Sequence, residues 1–141
     1  MRWSWGHVQA RGLALNVIVA GGLLSILAVD AMAQDFPFDQ EMLLDARPLA
    51  GSRRVPILEI SAQGSAQVDL WCHSGAAQVA ISGATIKFTL GPMREEACTP
   101  ERTQRDEVMA AALAQVTRWR LDQDVIVFTG SADLRFRLSS H

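Results

Sequence analysis

The chain is poor in the residues and spacings from which most chemistry is built. It has two cysteines, Cys72 and Cys98, and three histidines. None of their spacings matches a ligand pair such as C-x2-C or H-x3-H, so Cys72, His73, Cys98 and His141 make a poor metal set. There is no G-x-S-x-G elbow, and a Ser–His–acid triad would have to draw on His73 or His141. No glycine-rich loop is present to cradle a phosphate, and no cofactor is expected. Charge is balanced, with 13 Lys and Arg against 15 Asp and Glu. No basic stripe marks a nucleic-acid surface, and no like-charge run is long enough to form a tail. The acidic pairs Glu95-Glu96 and Asp122 with Asp124 fall in predicted connections and read as solvated turns. Internal repeats and low-complexity tracts are absent too.

The first third of the chain does carry a pattern. Arg2 and Arg11 flank a short basic stretch, and an apolar run extends from Gly12 to Val29. Ala31-Met32-Ala33 then places small residues where a signal peptidase inspects them. That is the pattern of a cleavable signal peptide over residues 1–33, with cleavage between Ala33 and Gln34. An uncleaved anchor is the competing reading, but Asn16, Gly21, Gly22 and Ser25 dilute a run already near the lower limit for spanning a bilayer. No twin arginine precedes the run, which points to the Sec route. No cysteine near the cleavage site offers itself for lipid attachment. Export to the periplasm follows, with membrane contact only through the signal before it is removed. The remainder is one domain, large enough to bury roughly 65% of its unfolded surface.

The mature chain opens with a polar, loosely held arm over residues 34–40, from which Phe36 and Phe38 can tuck inward. A first strand is predicted over residues 41–49, with Met42, Leu44 and Ala46 on one side. Residues 55–61 form a second, with Pro56 at its start or on an edge. Residues 66–72 alternate cleanly: Val68, Leu70 and Cys72 on one face, Gln67, Asp69 and Trp71 on the other. Residues 76–81 and 84–90 flank Ser82-Gly83, a two-residue hairpin link. In the second of these Ile86, Phe88 and Leu90 face in. Gly91-Pro92 ends it, and a charged crossing leads to Cys98.

Thr99-Pro100-Glu101 is a helix start: a capping hydroxyl, a proline where its missing N–H is harmless, and an acid at the positive end of the dipole. The helix is predicted to reach Arg118, with Val108, Met109, Ala112, Leu113 and Val116 as its apolar stripe. Arg102, Arg105, Asp106 and Gln115 are expected on the wet side. Residues 121–124 break the pattern, and short strands follow over residues 125–129 and 132–138. Leu134, Phe136 and Leu138 face the core in the last. Strands in series with one late helix make an α+β domain in which the helix covers one face of an antiparallel sheet.

Two cysteines in an exported chain favour a Cys72–Cys98 disulfide over two buried free thiols. Closing that loop is worth roughly 3.5 kcal/mol by loop entropy. Trp71, on the polar face of its strand, either packs under the helix or stands exposed. If exposed, it forms with His73 a candidate partner surface. A thiol enzyme built on Cys72 and His73 is disfavoured, because neighbours on a strand point to opposite faces.

The order of elements over residues 43–138 resembles the META domain, or HslJ-like family of small bacterial envelope proteins. The likeness is carried by Cys98, the charged helix start, Glu107, Ala112-Leu113 with Val116, and two short strands ending in Leu134-Arg135-Phe136. The family's first cysteine usually lies in Gly-Cys-Asn, where this chain has Trp71-Cys72-His73. Its second usually follows Thr-x-Met-Ala, of which only Ala97 and Cys98 match here. The resemblance implies a META-like domain over residues 41–141: a partly barrel-like antiparallel sheet of six to eight short strands with one packed helix. It also implies an exported setting, links to stress or antibiotic tolerance in some members, and no known catalytic residues.

A non-enzymatic domain that binds a protein or envelope component is therefore expected. A pilotin-like accessory of a secretion complex and a small thiol enzyme are the alternatives. Denatured, unreduced protein is expected to show no titratable thiol; two per chain would leave the cysteines free.

Overall fold

The computed structural model describes residues 34–139. The expected signal peptide, its cleavage bond and His141 lie outside the described residues. Eight strands and one helix follow in chain order: β1 (Glu41–Leu44), β2 (Ile57–Ile60), β3 (Ser65–Asp69), β4 (Ser74–Ser82), β5 (Thr85–Met93), α1 (Pro100–Ala114), β6 (Arg118–Asp122), β7 (Val125–Thr129) and β8 (Asp133–Leu138). Each strand pairs antiparallel with its neighbours in sequence, and β8 closes on β1 through Met42 opposite Leu138. Closure leaves no terminal edge strand. The fold is α+β, a ringed antiparallel sheet with a single helix packed on it.

Period-2 patterning places the core inside the ring. Ile86 and Phe88 of β5 are buried while Thr85, Lys87 and Thr89 are exposed. Phe128 lies at its centre, edge-on to Phe88 at 5.4 Å and to Phe136 at 5.7 Å between ring centroids. Met42, Leu58, Ile60, Val68 and Ile126 close around them, all fully buried. In β7 the outward valines are buried as well. Val127 sits in register between Arg120 and Arg135, whose aliphatic stems are suited to covering it.

Several elements differ from the sequence reading, each for a local reason. β1 stops at Leu44 and β3 at Asp69, short of the expected ends. The β4–β5 link is Gly83-Ala84, since Ser82 pairs with Thr85, and Gly83 takes the φ of +56° that the turn requires. β5 runs on through Gly91-Pro92, where the register against β4 shifts between Gly75 and Ala77. A bulge of this kind accommodates a proline that has no N–H to give. The helix ends at Ala114, short of the predicted end at Arg118, and Arg118 instead opens β6. Trp119 and Leu121 alternate there with Arg118 and Arg120, a strand period that helix-favouring neighbours masked. Gln123 holds the β6–β7 turn with φ +58°, the place glycine occupies in the β4–β5 turn.

β5 and β6 meet only at Thr85 opposite Arg118. Between them α1 packs against β5 and carries the chain from the end of that strand back to its start, where Thr117 accepts from the Ile86 N–H. The N-terminal arm is held more tightly than expected. Phe36 is buried edge-on to Trp119 at 5.0 Å, and the Gln34 amide bonds both the N–H and the C=O of Leu121. No helix among the described residues is long and apolar enough to cross a membrane.

The helix exit and the β7–β8 turn approach closely. A Cβ on Gly130 would stand 2.9 Å from Val116 Cα and nearer still to the Gln115 carbonyl oxygen. Those are backbone atoms and cannot swing aside. Gly130→Ala is expected to destabilise the fold by about 1–3 kcal/mol in urea denaturation.

Candidate functional site

The chemistry-bearing residues converge where the β3–β4 link meets the start of α1. Asp69 pairs with Ser74, and the Leu70 N–H donates to the His73 carbonyl, so Trp71-Cys72 forms a tight connection. Three successive N–H groups there, those of residues 71, 72 and 73, turn toward the helix. The Asp106 carboxylate receives all three. Oδ1 accepts from the Trp71 N–H at 2.7 Å; Oδ2 accepts from the Cys72 N–H at 3.1 Å and the His73 N–H at 2.7 Å. The imidazole joins them, its Nδ1 lying 2.8 Å from the same Oδ2. Asp106 is only 3% exposed. Removed from water, an anion with four donors is held far more firmly than a surface ion pair.

The sequence reading placed Asp106 on the wet side of the helix. The true stripe is phased differently: Asp106, Met109 or Ala110, Leu113 and Val116 face inward, and Val108 is 64% exposed. A missed signal was available. Asp106 lies three residues before Met109 and seven before Leu113, so helical spacing alone puts it on the inner face. Nothing in the sequence marked the N–H groups that wait for it.

A second clamp joins the same two segments. Cys72 and Cys98 form a disulfide across 26 residues, with Cα atoms 6.1 Å apart. The helix follows at once: Thr99 caps it by accepting from the Arg102 N–H, and Pro100 opens its first turn. Cys72 does not lie on a core-facing strand, because β3 has ended before it. The alternation used to separate His73 from the thiol chemistry therefore does not operate here. The sulfur that meets the ring is that of Cys98, 3.5 Å from Nε2 and 3.8 Å from Nδ1.

Trp71 is buried, at 6% exposed. That matches the packed alternative, and its backbone N–H is one of the three that meet Asp106. The His73 side chain keeps 18% of its surface. Beside it lies a cavity of about 310 Å³ with Leu70, Met93 and Ala110 as apolar walls and His73, Glu95 and Glu107 among the polar ones. A larger cleft near the helix exit, about 580 Å³, has Lys87 as its one charged lining residue. No group of three His, Cys, Asp or Glu side chains among the described residues is placed to hold a metal ion.

Comparison with known proteins bears on the fold. The family model described as META domain matches residues 40–140. No curated protein matches the chain. A solved structure described as "NMR structure of the protein" is similar over 71% of this chain and 89% of its own, at 11% identity and a TM-score of 0.56. At that identity the likeness speaks for the fold alone.

Asp106→Ala would leave three N–H groups and a ring nitrogen without their acceptor. We expect a loss of about 3 kcal/mol or more with the disulfide intact, and a smaller loss for Asp106→Asn, measured by urea denaturation.

Proposed function

The chain belongs to the META domain family, and from that premise we propose an exported, non-enzymatic envelope protein that acts by binding a protein or envelope component. The observation that carries the reading is the use made of Asp106. Both of its oxygens are engaged in fixing the 71–73 turn, so the one buried carboxylate among the described residues serves architecture and is not set up to transfer protons. What remains accessible beside it is shaped surface: apolar walls from Leu70, Met93 and Ala110 under the carboxylates of Glu95 and Glu107. Such a recess suits a partner group with an apolar body and a positive end. Export to the periplasm is supported by the apolar run and the Ala31-Met32-Ala33 site. A disulfide, of the kind that persists in oxidising compartments, adds to that support. A role in envelope stress or antibiotic tolerance completes the proposal.

Two measurements test it. Osmotic shock is expected to release a chain whose mass begins at Gln34; a full-length chain kept in the membrane would overturn cleavage and release. In a deletion strain challenged with envelope-active antibiotics, the wild-type gene is expected to restore tolerance. Glu107→Lys, folded to the same helix and sheet content by circular dichroism, is expected to fail. Equal rescue by that variant would remove the recess from the function.

A further inference from the structure

The disulfide is surrounded by more chemistry than a staple needs. We propose that Cys72–Cys98 is an exchangeable couple that reacts stoichiometrically with thiols and dithiols, with Cys98 as the sulfur that leaves and returns and His73 as its proton partner. The two sulfurs have different surroundings. Cys98 Sγ lies against the His73 ring, 3.5 Å from Nε2 and 3.8 Å from Nδ1, whereas Cys72 Sγ lies 4.0 Å from the Ala97 carbonyl oxygen. The ring is not free to turn away, because Asp106 Oδ2 holds its Nδ1 at 2.8 Å. With Nδ1 engaged by the carboxylate, Nε2 is the position left to exchange a proton with sulfur.

Access and robustness point the same way. Both cysteines are partly exposed, so a small thiol meets them from solvent; His73 lines the neighbouring cavity with Glu95 and Glu107. The turn is also clamped twice. Its three N–H groups bond Asp106, a hold on the turn that does not pass through the sulfurs. A bond that alone held the turn could not cycle without local unfolding; this one can.

The exchange balances as follows. A thiolate of an external dithiol attacks Cys72 Sγ, forming a mixed disulfide there. The Cys72–Cys98 bond breaks, and Cys98 Sγ leaves with the electron pair; His73 in its imidazolium form gives its Nε2 proton to that thiolate and regains one from water. The second thiol of the dithiol, deprotonated, attacks its own sulfur in the mixed disulfide, and Cys72 leaves and is protonated from water. Two electrons and two protons pass to the protein, and the dithiol becomes a disulfide. In reverse, His73 Nε2 takes the Cys98 proton and that thiolate attacks a mixed disulfide held on Cys72. The groups facing the ring are Asp106 from α1, Glu95 and Glu107 around the cavity, and Cys98 itself.

The test uses native, purified protein. Under excess glutathione, peptide mapping is expected to find the mixed disulfide on Cys72 and the free thiol on Cys98. In the reduced protein, iodoacetamide at pH 6 is expected to modify Cys98 about tenfold faster than Cys72. His73→Gln retains the backbone N–H to Asp106; it is expected to abolish that preference and slow reduction by dithiothreitol about tenfold. Three results would each overturn the proposal: a disulfide reducible only after denaturation, equal alkylation of both cysteines in the unsubstituted protein, or an unchanged rate in a folded His73→Gln variant. None of these outcomes bears on export or on binding through the recess.

Discussion

One carboxylate holds the two halves of this molecule in relation. Asp106 projects from the inner face of the helix into the turn that joins the third and fourth strands, and it answers three consecutive backbone N–H groups that the turn cannot satisfy internally. Burying an ion costs free energy that only dense hydrogen bonding offsets. The arrangement therefore fixes geometry as much as it adds stability: the carboxylate fits only if helix and turn stand at one separation and one rotation. The disulfide from Cys72 to Cys98, immediately before the helix, secures the same junction covalently.

The sheet explains why such a junction is required. Seven of its eight neighbour contacts are strand pairs of at least three residues, whereas the one between β5 and β6 rests on a single pair, Thr85 with Arg118. The chain leaves the wall at that point, runs back as a helix and re-enters. Leu113 and Val116 bury the C-terminal end of the helix against the core, and the Asp106 junction anchors its middle. Access to the interior of the ring is thereby closed, and the surface with chemical variety gathers at the helix start, around His73 and the cavity beside it.

This concentration of groups gives the junction a double character. Asp106 is consumed by structure, yet it also orients an imidazole toward a sulfur. A side chain that holds a turn can thus set the reactivity of a bond next to it.

Much of the architecture was legible along the chain, because its causes are local. The period-2 alternation of Ile86, Phe88 and Leu90 reports a wall strand, and Thr99-Pro100 reports a helix start through the groups it caps. The two cysteines, in a chain with an export pattern, announce a covalent clamp. Tertiary structure alone decided the rest. Strand β6 was hidden because its five residues follow a helix whose favourable composition runs up to them. Ring closure by β1 on β8 joins residues about ninety positions apart, and alternation says which face a residue presents but not which strand it will meet. The inward stance of Asp106, the burial of Trp71 and the pairing of His73 with the farther cysteine all depend on N–H groups of a turn more than thirty residues away from the helix. A buried charge is specified by the donors around it, and donors brought together only by folding leave no mark on the local pattern.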